Sequence, residues 1–139
     1  MNKKILSSED EVRKFLQELK GTLTDPGFNV NNDLDILLRK KGESPKDPFT
    51  TVNTLLKLDF DKNDVITQLL SLDVSDYKET LINDKNSSLP LFYAFGKVIK
   101  NTEVYIKVKI RDKINHKVFC ISFCTISFTN KTTICLIPA

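Results

Sequence analysis

Glu103-Val104-Tyr105-Ile106-Lys107-Val108-Lys109-Ile110-Arg111 alternates apolar and polar residues without a break, the pattern of a half-buried β-strand. Successive strand side chains point to opposite faces, so Val104, Ile106, Val108 and Ile110 form one row, and Tyr105, Lys107, Lys109 and Arg111 form the other. The first row predicts a core-facing surface, the second an open row of three cations and a phenol. Such a row is often only the solvated side of an antiparallel sheet, where lysines also discourage edge pairing. A phenol set among cations has another use, because phosphoryl chemistry needs charge neutralisation and a proton carrier together.

On either side of this stretch, Phe92 to Ile99 and Val118 to Phe123 also read as extended segments. Asn101-Thr102 forms a short turn before the central strand and Asp112 to Lys117 a looser one after it, which makes a three-strand meander. In the last strand both rows are apolar, as in a strand buried on two sides. The N-terminal part reads as helical. Ser8 and Glu11 form a capping box, and Val12, Phe15, Leu16 and Leu19 follow at helical spacing until Gly21, which predicts a helix over 9–20.

Residues 33–40 suit a short helix or a strand. Asp47-Pro48 reads as an N-cap and first helical position for a helix over 49–57, with Val52, Leu55 and Leu56 inward. Val65, Ile66, Leu69, Leu70 and Leu72 form the stripe of a third helix. The acids before it resemble a calcium loop but lack its central Gly and terminal Glu, so they read as helix caps. Helices first and strands last predict an α+β fold, with N-terminal helices packed on a C-terminal antiparallel sheet.

The 139 residues predict a single domain, and with 40% apolar and 28% charged residues the composition is that of a soluble globular protein. No apolar run approaches the roughly 20 residues of a membrane span, and the cationic start is cut off by Ser7-Ser8-Glu9-Asp10-Glu11 well short of a signal-peptide core. The expected location is the cytoplasm. Cys120, Cys124 and Cys135 are odd in number and crowded at one end, which predicts reduced thiols rather than a disulfide framework. There is no Gly-rich phosphate loop, and one His, at 116, cannot complete a ligand set with Cys120 and Cys124, so neither metal nor cofactor is expected.

The net charge of +3 is unevenly spread. Residues 91–139 hold eight Lys or Arg against two acids, whereas residues 1–90 hold thirteen against sixteen. A basic C-terminal part predicts a polyanionic partner. Lys97 and Lys100 before the central strand and Lys109 and Arg111 within it are the candidate contacts, with Tyr77-Lys78 as a further candidate pair.

Several short segments, in order, resemble the MqsR family of bacterial toxins. They are Thr51-Val52-Asn53-Thr54-Leu55-Leu56, Leu58-Asp59-Phe60-Asp61, Asp64-Val65-Ile66, Ser75-Asp76-Tyr77-Lys78, Phe95-Gly96-Lys97-Val98-Ile99, Glu103-Val104-Tyr105-Ile106-Lys107 and Cys120-Ile121-Ser122-Phe123. The similarity covers about residues 49–124, with residues 1–48 as an N-terminal extension outside it. It implies a RelE-like fold and a metal-independent endoribonuclease that cuts messenger RNA, arrests translation and is held inactive by a cognate antitoxin of helix-turn-helix type, with the ribosome as a further partner. By position, the family's catalytic Tyr falls on Tyr105 and its Lys on or beside Lys78, both for proton handling. From the basic strand itself, Lys107, with Lys97 or Lys109, is expected to neutralise the scissile phosphate, and Lys97, Lys100, Lys109 and Arg111 to bind RNA.

The chain departs from the family at Cys124, where Lys or His is usual, and in its tail, which reads as an extra strand or an altered ending. A second expectation follows from those departures: a protein with weakened or lost cleavage that still binds RNA, the ribosome or an antitoxin.

Overall fold

The computed structural model describes residues 2–38, 42–44, 46–83, 86 and 88–125, with Asn2 and Asn83 described by their backbone alone. The tail from 126 onward, Cys135 and Pro45 of the loop before the second long helix lie outside the described residues. Strand β1 (Asn2–Ile5) opens the chain and is followed by α1 (Glu9–Thr24), the single-turn helix α2 (Val30–Asp33) and β2 (Leu34–Ile36). Then come α3 (Thr51–Leu58), α4 (Lys62–Leu70), a 3₁₀ turn at Val74–Asp76, and strands β3 (Tyr77–Asn83), β4 (Phe92–Ile99), β5 (Thr102–Asp112) and β6 (Lys117–Thr125). The α+β arrangement and the β4-β5-β6 meander match the expectation.

Helix α1 begins as its sequence requires. The Ser8 backbone N–H donates to Glu11 Oε1 at 2.9 Å, and the Glu11 N–H donates to Ser8 Oγ at 3.2 Å. It does not stop at Gly21 but runs on to Thr24, burying Leu23. The stop is set by Pro26, because a residue before proline is driven out of the helical region, and Asp25 accordingly has an extended ψ of 135°.

Helix α3 starts later than expected. Asp47 is used in a turn, its carboxylate accepting from the Phe49 N–H at 2.9 Å, and Thr50 takes the N-cap, its hydroxyl accepting from the Asn53 N–H at 3.2 Å. The helix therefore turns Thr51, Thr54, Leu55 and Leu58 inward and leaves Leu56 exposed. Before α4, Asp61 and Asp64 cap each other's backbone reciprocally, as the helix-cap reading required.

The sheet has six strands in the order β1-β3-β4-β5-β6-β2. All pairings are antiparallel except β2 with β6, which is parallel. The two N-terminal strands thus form both edges of a sheet whose interior comes from the C-terminal part. The β4–β5 turn sits at Lys100-Asn101, both with positive φ (49° and 61°), the geometry of a two-residue hairpin turn; Thr102 already belongs to β5.

Helices α1, α3 and α4 cover one face of the sheet. There Phe15, Leu16, Leu19, Leu58, Val65 and Leu69 meet Phe95, Val104, Ile106, Val108, Cys120 and Phe123. Beyond residue 120, β6 outruns the short β2, and α3 satisfies its free edge. Thr51 Oγ1 accepts from the Phe123 N–H at 3.2 Å, and Thr54 Oγ1 accepts from the Thr125 N–H at 3.0 Å.

Candidate functional site on the second sheet face

The face away from the helices is where Tyr105, Lys107, Lys109 and Arg111 point, and it departs from the expected open basic row. Tyr105 is 3% exposed and Lys107 0% exposed. The cause is position: β5 is an interior strand, and this face carries an apolar cluster of its own, built from Leu81, Phe92, Ala94 and Tyr105 with Phe119 and Ile121 packed against it. Lys107 sits between the small residues Ala94 and Ser122 in register, with its ammonium 6.0 Å from the centre of the Tyr105 ring. A polar residue in an alternating strand marks a face, and the neighbouring strands decide whether that face is wet.

Tyr105 reaches across β4. Its O–H donates to Glu79 Oε2 at 2.9 Å, although Glu79 lies on β3, two strands away. Strands are spaced about 4.8 Å apart, so the phenol must lie over the strand between. There β4 presents Ala94, opposite Glu79, and Gly96, opposite Tyr105. Both are small enough to let the ring pass. Burial, then the hydrogen bond to Glu79 and that group's negative charge, push the phenol far above its ordinary titration range, so Tyr105 stays protonated and acts as a hydrogen-bond donor.

Lys78 joins this group through a β-bulge. Tyr77 pairs with Phe95 and Glu79 with Ala94, which leaves Lys78 as the extra residue. A bulge re-aims side chains, and here the consecutive residues Lys78 and Glu79 both serve the Tyr105 face. The Lys78 stem lies over Gly96 so closely that a Cβ there would meet its Cε at 2.7 Å. Lys78 is otherwise exposed. On the outer side Lys4 of β1 stands 3.7 Å from the same Glu79 oxygen that Tyr105 holds.

The remaining sequence candidates do not converge on this patch. Lys109 lies 4.5 Å from the Phe92 ring centre, and burial lowers its ammonium from the usual lysine range, with the Arg111 charge adding to the effect. The Arg111 guanidinium stacks on Phe119 at 4.2 Å and pairs with Asp35 at 3.6 Å. It borders a cavity of about 390 Å³ against α2 and β2, where Lys62 donates to the Leu34 carbonyl and Lys117 to Asp33. Those cations serve the β2 edge.

Lys97 pairs with Val104 in register and so projects to the helix-covered face. Lys100 donates to the Leu58 carbonyl at 2.7 Å and lies over Phe60, closing the end of α3. Cys124 is the register partner of Tyr105 on β6. It is disulfide-bonded, which corrects the expectation of a reduced thiol there, while Cys120 is a buried free thiol.

Glu79 is the site residue that the sequence alone did not bring forward. The sequence signals that could have found it are an acid next to the candidate Lys78 and the alternate small residues Ala94 and Gly96, which leave one face of a strand open to a long side chain. Among the described residues, no group of three or more His, Cys, Asp or Glu is placed to hold a metal ion, and no helix is long and apolar enough to cross a membrane. No protein-family model and no curated protein matches the chain.

Proposed function

We propose that the chain is an endoribonuclease that cuts messenger RNA and so arrests translation, the toxin of a toxin–antitoxin pair with a RelE-like fold, as its resemblance to the MqsR family implies. The observation that carries the proposal is the grouping of Lys78, Glu79 and Tyr105 on one face of the sheet, a cation, a carboxylate and a phenol within one patch. RNA asks for little more. Its own 2′-hydroxyl is the nucleophile, so the protein supplies proton transfer and a cation for the phosphate, and the reaction needs no metal ion. Lys109 and Arg111 lie about 13 and 20 Å along the strand from Tyr105, a distance that suits flanking phosphates rather than the scissile one. Lys107, Lys97 and Lys100 have no part in this reading, because the first is buried and the other two serve the helix side.

The burial of Tyr105 favours a second reading, in which the face binds RNA or an antitoxin's acidic segment without cutting. Incubating the purified protein with messenger RNA in the presence of a chelator separates the two. The endonuclease reading expects 2′,3′-cyclic phosphate ends and a loss on the order of 10²–10⁴ in rate for Tyr105→Phe. No cleavage above background, with binding that still weakens between 50 and 200 mM salt as phosphate contacts require, leaves the second reading standing and ends the first.

A further inference from the structure

A residue that takes a proton from substrate must touch it, and on this face exposure sorts the candidates. Tyr105 is enclosed, with its O–H committed to Glu79. The Glu79 side chain is 22% exposed, and Lys4, on its outer side, is 52% exposed. Lys78 is open as well. The groups that a bound polyanion could reach are therefore a carboxylate with a lysine from β1 beside it and the bulge lysine Lys78 next to it in the chain, and the phenol lies behind the carboxylate.

Resting on the RNA-cleaving reading, we infer that Glu79 is the proton acceptor of the reaction, that Lys78 and Lys4 receive the phosphate, and that Tyr105 is a positioning residue. Three arrangements support this division. The Tyr105 hydrogen bond occupies one carboxylate oxygen from the buried side and fixes the rotamer of an otherwise flexible side chain. The bulge at Lys78 sends two consecutive side chains to the same face, which a regular strand would not do. Gly96 leaves room for the Lys78 stem, so the lysine lies over β4 at the register partner of Tyr105.

In the step this implies, the Glu79 carboxylate takes the 2′-hydroxyl proton as the 2′-oxygen bonds to phosphorus. The bond from phosphorus to the 5′-oxygen breaks, and the leaving oxygen takes a proton from the Lys78 ammonium. The products are a 2′,3′-cyclic phosphate and a 5′-hydroxyl; Glu79 then returns its proton to water and Lys78 regains one. No oxidant, reductant or co-reactant is required.

The test compares the wild-type protein with Glu79→Gln, Glu79→Asp and Tyr105→Phe on a single-stranded RNA of mixed sequence across pH, with thermal unfolding run on each to show that it folds. Glu79→Gln is expected to lose on the order of 10²–10⁴ in kcat/KM, together with the acidic limb of the pH–rate profile. Glu79→Asp should restore part of the rate and that limb. Tyr105→Phe should lose rate through kcat while keeping the limb, as a positioning role requires. If a folded Glu79→Gln variant cleaves at the wild-type rate, or keeps the acidic limb that Tyr105→Phe loses, the assignment of Glu79 is overturned and the endonuclease reading survives. If the wild-type protein itself leaves RNA uncut, both fall.

Discussion

Replacing Thr54 with valine should unfold this protein at a distinctly lower urea concentration, although the two side chains have nearly the same shape. Thr54 is 0% exposed. Its hydroxyl accepts from the Thr125 N–H at 3.0 Å and lies 2.9 Å from the Thr125 hydroxyl. Thr125 is itself buried on the free edge of β6, beyond the last residue that β2 pairs. Valine keeps the volume and removes the acceptor. A buried amide left without a partner costs about 1–3 kcal/mol, and the Thr125 hydroxyl, losing its partner as well, adds about 1 kcal/mol on the same scale. Against a total stability of roughly 5–15 kcal/mol for a domain, that is a large fraction.

Urea unfolding measures it as a lower midpoint with an unchanged slope. A fall in Tm of roughly 4 °C per kcal/mol should accompany it. Thr54→Ser supplies the decisive comparison. Serine keeps the hydroxyl and gives up a methyl worth about 0.8 kcal/mol, so it should be the milder change if the hydrogen bonds matter. If packing alone mattered, valine would be the milder one. Thr67→Val on the exposed side of α4, where the hydroxyl only bonds back to the Asn63 carbonyl, should stay within about 0.5 kcal/mol of wild type. Thr54→Val matching that control, or proving milder than Thr54→Ser, would refute the view that α3 closes the β6 edge with side-chain hydroxyls.

Acid should weaken the β2 edge through Asp33. The hydrogen bond from Lys117, with the Asn29 N–H second, holds its carboxyl below the ordinary aspartate range. A depressed folded value means that this group stabilises the fold above its unfolded value of about 3.9 and ceases to do so as pH falls through the folded one. Asp33→Asn should therefore flatten the acid side of the stability curve, measured by urea unfolding at stepped pH, and an unchanged curve would count against the pairing. Gly96→Ala should act on Lys78 instead. Its new Cβ would stand 2.7 Å from Lys78 Cε, and the flexible end of a lysine can move aside, so under the proposed endonuclease reading RNA cleavage should fall while unfolding shifts by no more than about 1 kcal/mol. A large loss of stability would show that the strand, not the lysine, absorbs the change.

Where the sequence carries a long period, the fold was readable from it. The stripe of α1 and the alternation of β5 each run through several residues on a buried face, and burial enforces that pattern. Short and irregular strands lack such a signal. At the chain start, β1 offers only four residues, two of them lysine, and it becomes a strand because β3 pairs with it. Residues 77–83 should have alternated too, but the bulge at Lys78 breaks the period at the point where β3 begins. Asp47-Pro48 is a sound helix start in isolation, yet Thr50 offered another cap three residues on, and the helix that begins there sets Thr51 and Thr54 against β6. Local propensity left two starts open, and the helix adopts the one that satisfies the sheet edge.

The candidate site shows the same limit from the side of function. Tyr105 and Lys107 stand two apart on one strand, so their common face follows from the sequence alone. Their access to solvent does not, because it depends on which residues β4 and β6 place beside them. The link from Tyr105 to Glu79 spans 26 residues and two strands and exists only once the register of both pairings is set. A row of cations in a strand is therefore a statement about polarity, and whether a polar group on this face meets water is decided by its place in the sheet: Glu79 and Lys78 on β3 are open where Tyr105 and Lys107 on β5 are not. On this face the route to water runs through β3 rather than through the alternating strand β5.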